Sequence, residues 1–146
     1  MAVPHSKPAQ QAFVGELSIR TERRTQLFDI TAGVQRQVKD SGAISGVCHV
    51  YVPHTTAGVT INEHDDPDVA LDIEAAMDRM VPNDAGYRHA EGNSDSHIKA
   101  ALIGNSVTIF IAGGKLDLGR WQGVFFCEFD GPRARTIKVR VVPDHS

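Results

Sequence analysis

The stretch WQGVFFCEF, Trp121 to Phe129, sets the tightest limit on the fold. Its apolar side chains fall on both parities, so a strand made from it has no wet face. Such a strand belongs in the middle of a sheet, with protein packed on either side. Glu128 is the exception. A carboxylate among aromatic residues needs a partner or an altered protonation state, unless it points outward from an edge. The last apolar run, Arg135 to Val142, reads differently. Ile137, Val139 and Val141 alternate with Lys138 and Arg140, which gives one buried face and one wet face.

The rest of the chain supplies neighbours for that central strand. Ala12 to Arg20, Gln26 to Ile30, Gly46 to Pro53, Gly58 to Asn62 and Ser106 to Ala112 read as strands, the third from its β-branched run GVCHVYVP. Pro67 to Met80 is the clearest helix. Asp66 can cap it, Pro67 suits the first helical position, and Val69, Ile73, Ala76, Met77 and Met80 share a face. A short helix runs from an N-cap at Thr31 to Gly42. Another, Ile98 to Ile103, follows a cap at Ser94 or Asp95 and closes at Gly104. Asp130-Gly131 carries a hairpin-turn signal. Long β-runs, several helices and no regular βαβ rhythm argue for an α+β fold. The expected architecture is a single compact domain over residues 12–143, a largely antiparallel sheet or sandwich with a few short helices. A flexible polar lead-in occupies residues 1–11.

Composition narrows the function classes. A chain of 146 residues with 41% apolar and 23% charged residues is an ordinary globule, and its net charge of -3 gives no electrostatic case for nucleic acid or an acidic membrane surface. No apolar stretch approaches the roughly 20 residues of a membrane span, and the start lacks a signal-peptide core. Cys48 and Cys127 sit inside apolar runs and read as buried thiols of a cytoplasmic protein rather than a disulfide.

Four stretches can carry chemistry, each at a junction between a regular element and a loop. In PHTTAGVTINEHDDPDV, His54 leaves a strand into a turn holding Thr55 and Thr56, and Asn62 and Glu63 gather at the end of the next strand. Asp65 and Asp66 are explained as helix-start residues. In YRHAEGNSDSHIKAALIG, His97 falls near a helix start, where free amides favour anions and a neutral imidazole could bind metal or exchange protons. His89 can fold back toward it across the loop containing Gly92. The spacing lets His54, His89 and His97 converge. In IAGGKLDLGRWQG, the Gly113-Gly114 turn could bring backbone close to a ligand and Arg120 could hold phosphate; a plain turn with a solvated arginine explains the same residues. The fourth stretch is CEFDGPR, with Glu128. His49 and His64 read as strand-face and loop residues. No G-x-S-x-G, C-x-x-C, H-E-x-x-H or P-loop pattern is present.

In this order, HTTAGVTINEHDDPDV, HAEGNSDSHIKAALIG and GGKLDLGRWQGVFFCEFDGPR closely resemble the YjbQ family, also described as secondary thiamine-phosphate synthases. The resemblance spans about Phe13 to Val142. It implies a compact α+β fold, a homotrimer, and a reaction joining a pyrimidine pyrophosphate to a thiazole phosphate with release of pyrophosphate. It also implies metal at the histidine pocket. On matching positions that pocket would hold His54, Thr55, Thr56, Asn62, Glu63, His89, Glu91, Asn93, Asp95 and His97, completed by Gly113, Gly114, Asp117, Arg120, Trp121 and Gln122.

Three functions remain open at this level. The first is the thiamine-phosphate-synthase-type transferase. There His54, His89, His97, Glu63 and Arg120 would be catalytic, and Thr55, Thr56, Asn62, Asn93, Gly113, Gly114 and Arg120 would bind a phosphorylated small molecule. The second is a hydrolase with Zn²⁺ on His54, His89 and His97 and Glu63 or Glu91 as base. Mg²⁺ would instead prefer oxygen ligands such as Glu63, Glu91 or Asp95. The third is a non-catalytic trimeric binder of a phosphorylated metabolite.

Overall fold

The computed structural model describes residues 11–145 as two packed antiparallel sheets with three helices. The strands are β1 (Phe13–Arg20), β2 (Gln26–Asp29), β3 (Gly46–Tyr51), β4 (Ala57–Glu63), β5 (Ser106–Ala112), β6 (Lys115–Leu116), β7 (Gln122–Glu128) and β8 (Ala134–Pro143). The helices are α1 (Thr31–Ser41), α2 (Pro67–Met80) and α3 (Ser94–Ile103). One sheet has the order β1-β8-β3-β5-β6 and the other β2-β7-β4. The expected lead-in lies almost wholly outside the described residues. Among these, no helix is long and apolar enough to cross a membrane.

The two parities of β7 explain the architecture. Val124 and Phe126 join the core between the sheets, with Val50 and Val59 and with Ile137 and Val139 of β8. Phe125 and Cys127, with Phe129 beyond the strand, face the other way, onto Met77 of α2 and Ala100 of α3. A strand buried on both sides needs this alternation. β7 is the central strand of its sheet, paired with β2 and β4. On the larger sheet, the face turned away from the core leaves Val14, Phe110 and Tyr51 exposed.

Four local expectations change. Thr31 is the first residue of α1 rather than its cap; the Asp29 carboxylate accepts from both the Thr31 N–H (2.9 Å) and its hydroxyl (2.6 Å). α3 begins at Ser94, four residues before Ile98, because Asp95, Ser96 and Lys99 turn inward and are buried. Asn93 occupies the cap position, with no side-chain cap bond. The Asp130-Gly131 corner joins β7 to β8 in different sheets, so it is a crossover and not a hairpin. The two-residue β6, which sequence did not suggest, pairs with β5 around the Gly113-Gly114 turn. The Asp66 carboxylate caps α2 through the Asp68 N–H, as the sequence implied.

Candidate functional site

His54 follows β3 at the end where Val52 N–H donates to the Asn105 carbonyl (2.8 Å). The loop it opens rests on a buried charge pair. Arg135 Nε donates to Glu128 Oε1 (2.8 Å), and its Nη2 donates to Glu128 Oε2 and to the Thr56 hydroxyl (2.9 Å). Thr21 donates to Glu128 Oε1 (2.7 Å), and the Phe129 and Asp130 amides donate to Oε2. Burial raises the Glu128 pKa, but these bonds outweigh it and hold the carboxyl below its ordinary value. Glu128 thus has its partner. Thr56 is buried and committed to Arg135, so it supports the loop and is not free for a ligand.

His54 Nε2 lies 3.1 Å from both the N–H and the carbonyl oxygen of Thr136. The amide can only donate and the carbonyl can only accept, so Thr136 anchors the ring in either neutral tautomer. Desolvation, then the nearby Arg135 charge, pushes the His54 pKa down, against the Thr136 backbone and Glu128. His54 and His97 border one cavity of about 380 Å³, with Thr55 and Asn105 on its rim and Ala57, Ala100 and Gly104 giving it small walls. The other side of His97 faces a second cavity with His89. The His89 and His97 rings meet edge-on, 5.4 Å between centroids, and His89 Nε2 lies 3.6 Å from the Glu91 carboxylate. His97 therefore stands between the other two histidines.

One chain does not bring the remaining residues there. β4 leaves the His54 end at Ala57 and finishes at Glu63, six residue steps or about 20 Å away. Asn62 and Glu63 sit at that far end, where Glu63 pairs with Gln122 and the His64 N–H donates to the Trp121 carbonyl. Arg120 is there too, its guanidinium 4.7 Å from the centre of the Trp121 ring. The Gly113-Gly114 turn likewise lies at the opposite end of β5 from Asn105. The expected convergence of the histidines beside Arg120 does not occur within one chain, because β4 and β5 run the full length of the sandwich between them.

Two further expectations shift. Asp95 is fully buried and saturated by Arg24 (2.9 Å), Asn83 (3.1 Å) and Lys99 (3.3 Å), which outweigh desolvation and lower its pKa. It is not free to hold Mg²⁺. Asn93 donates to Asp130 (3.0 Å), while its Oδ1 is a buried acceptor with no donor among the described residues. Those residues contain no group of three His, Cys, Asp or Glu side chains placed to share a metal ion. A three-ligand Zn²⁺ site on His54, His89 and His97 therefore does not fit a single chain.

Sequence reading missed Arg135 and Lys99. Arg135 has the same parity as Ile137, Val139 and Val141, which places it on the inner face of β8; that parity, with Glu128 in need of a partner, was the available signal. Lys99 is 2% exposed, and nothing in the motif marked it as inward. His64 also gains a role beyond its loop, with Nδ1 3.0 Å from the Asp29 carboxylate.

A family model described as UPF0047 protein YjbQ-like matches residues 15–144. UPF0047 protein MJ1081 of Methanocaldococcus jannaschii is 48% identical over 126 residues, covering 86% of this chain and 91% of its own. UPF0047 protein YugU of Bacillus subtilis is 43% identical, covering 86% of this chain and 96% of its own. A solved YjbQ/UPF0047 family protein from Clostridium acetobutylicum superposes with a TM-score of 0.85 at 50% identity, covering 87% of this chain and 98% of that one. A YbjQ-like protein of unknown function from Sulfolobus solfataricus gives 0.88 at 30% identity, over 92% and 99%.

Proposed function

The chain belongs to the UPF0047 YjbQ-like family, and from that premise we propose a transferase of the thiamine-phosphate-synthase type, working at the His54–His97 cavity of a homotrimer. The observation that carries this reading is the pairing of two imidazoles on one cavity of about 380 Å³, one of them anchored on the Thr136 backbone with its pKa lowered. In the reaction, the thiazole nitrogen attacks the pyrimidine methylene carbon. The new C–N bond takes that carbon as the C–O bond to pyrophosphate breaks, and the electron pair leaves on pyrophosphate oxygen. Neutral His54 leaves the cationic thiazolium unopposed by a second positive charge. His97 faces it.

The departing pyrophosphate needs cations, and no Arg or Lys lines the His54–His97 cavity. Arg120 is the candidate, but it sits about 20 Å away along the strands of its own chain. In a head-to-tail ring, the Arg120 end of one copy meets the histidine end of the next, and the site becomes whole only at the junction. In that arrangement Glu63, Asn62 and Trp121 would join the same site.

The test is formation of thiamine phosphate from the two precursors, with pyrophosphate measured alongside. The wild type should turn over, and His54→Ala, His97→Ala and Arg120→Ala should each lose about 100-fold or more, the scale of one missing charge-stabilising donor. Equal turnover in all three variants overturns the assignment. A phosphate compound that raises the melting temperature while every turnover assay stays silent would favour the binding reading instead.

A further inference from the structure

A cavity of about 770 Å³, larger than the histidine cavity, opens between α1 and the Gly113-Gly114 turn. It lies at the opposite end of β5 from His54. We propose that this groove binds a diphosphate-bearing small molecule, at a site separate from the His54–His97 cavity and independent of the function assigned to it.

The electrostatics run against the rest of the chain. Arg36, Lys39 and Lys115 line the groove with Asp40, three positive charges against one negative, on a chain whose net charge is -3. Several cations elsewhere in the fold are paired: Arg24 and Lys99 with Asp95, Arg135 with Glu128, Arg23 with Glu74. Arg36, Lys39 and Lys115 enter no ion pair among the described residues. Cations on an exposed helix face are commonly just solvated. Here they converge on a concave space with a second wall.

That wall is a fixed backbone turn. Gly113 and Gly114 both have left-handed backbones (φ 59° and 76°), the two-residue hairpin geometry that glycine satisfies without strain. Gln35 reaches across from α1 and clamps it, donating to the Gly114 carbonyl (3.3 Å) and accepting from the Leu116 N–H (2.9 Å). The Gly114 N–H donates to the Ile44 carbonyl (2.9 Å). A side chain at Gly113 would meet nothing within 4 Å, so its backbone is open to a ligand. A rigid, unscreened turn facing one guanidinium and two ammonium groups suits oxyanions, the guanidinium by its planar fork. The volume exceeds what one phosphate fills and sits within the range of small-molecule sites. A diphosphate uses all three cations.

The shared chemistry is the diphosphate, free or esterified. Inorganic pyrophosphate and ADP are titrated separately into the intact, isotopically labelled protein, and backbone amide shifts are followed. The expected result is saturable shifts at Gly113, Gly114, Lys115 and residues 35–40 with at least one of the two probes. Tighter binding of ADP marks an organic diphosphate, and tighter pyrophosphate marks the free ion. Arg36→Gln with Lys39→Gln should weaken binding by about ten-fold or more while leaving the rest of the spectrum in place. His97→Ala should leave it unchanged, which separates this groove from the histidine cavity. Absence of shifts at these amides at millimolar concentration of both probes, or shifts that survive the double substitution, overturns the proposal.

Discussion

Removing Arg135 should destabilise this protein more than almost any other polar substitution, and removing Glu128 with it should restore much of the loss. Arg135 is 6% exposed and Glu128 0%. Arg135→Met leaves a buried carboxylate held only by Thr21 and two backbone amides. Breaking a buried pair from one side costs about 3–5 kcal/mol, because the surviving charge is uncompensated. Glu128→Leu strands the guanidinium at similar cost, so independent sites would give about 6–10 kcal/mol together. In the double variant no charge is stranded. Phe129 N–H still donates to the Thr56 carbonyl (3.2 Å), so the main orphans are the Asp130 amide and the Thr56 hydroxyl. At about 1–3 kcal/mol each, these leave a double variant that costs about 2–6 kcal/mol. The coupling is then about 4 kcal/mol, measured as a double-mutant cycle by urea unfolding followed in the far ultraviolet. A double variant whose loss equals the sum of the singles within about 0.5 kcal/mol would refute the buried-pair account.

Acid should unfold the protein through the same groups. Glu128 and Asp95 have native pKa values below their ordinary 4.5 and 3.8. Their contribution is present above those values and is lost as pH falls through the depressed native ones. Urea midpoints should therefore decline below about pH 4.5, less steeply in Asp95→Asn. Lys99→Met should cost about 1.5–3 kcal/mol in a denaturant melt, since Asp95 loses one charged donor but keeps Arg24 and Asn83. Gly58→Ala puts a methyl 2.4 Å from the Gly104 carbonyl, which lines the His54–His97 cavity, and should cost about 1–3 kcal/mol in thermal stability. Cys48 and Cys127 are free and buried, with thiols pushed up to about 11 and about 12, so a thiol reagent at pH 8 should label neither until denaturant is added.

The fold was legible where burial follows side-chain polarity. β7 showed its two packed faces as apolar residues on both parities, and Asp66-Pro67 marked the start of α2. Legibility failed where polar groups go inside. Asp95, Ser96 and Lys99 hid the first turn of α3, because a buried ion network leaves no apolar periodicity. Arg135 shares the inward parity of Ile137, Val139 and Val141, but a charged side chain there carries no apolar signal of burial. At the site, the contact of His97 with His89 was readable from a short loop. The distance from Arg120 to His54 was not, since sequence places a residue at a strand terminus without saying which end of the domain that terminus reaches. The Asp130-Gly131 turn failed the same way: its residues describe a tight corner, and only the core decides that the chain crosses to the other sheet.

The claim that the histidine end of one chain works with the Arg120 end of another is tested most directly by mixing two dead variants. His97→Ala and Arg120→Ala subunits are unfolded together in equal amounts, refolded, and assayed for thiamine phosphate. A ring of head-to-tail junctions predicts recovery of about one quarter of wild-type activity, because one junction in four joins an intact histidine end to an intact Arg120. Two inactive variants that stay inactive after co-refolding into mixed oligomers would contradict it.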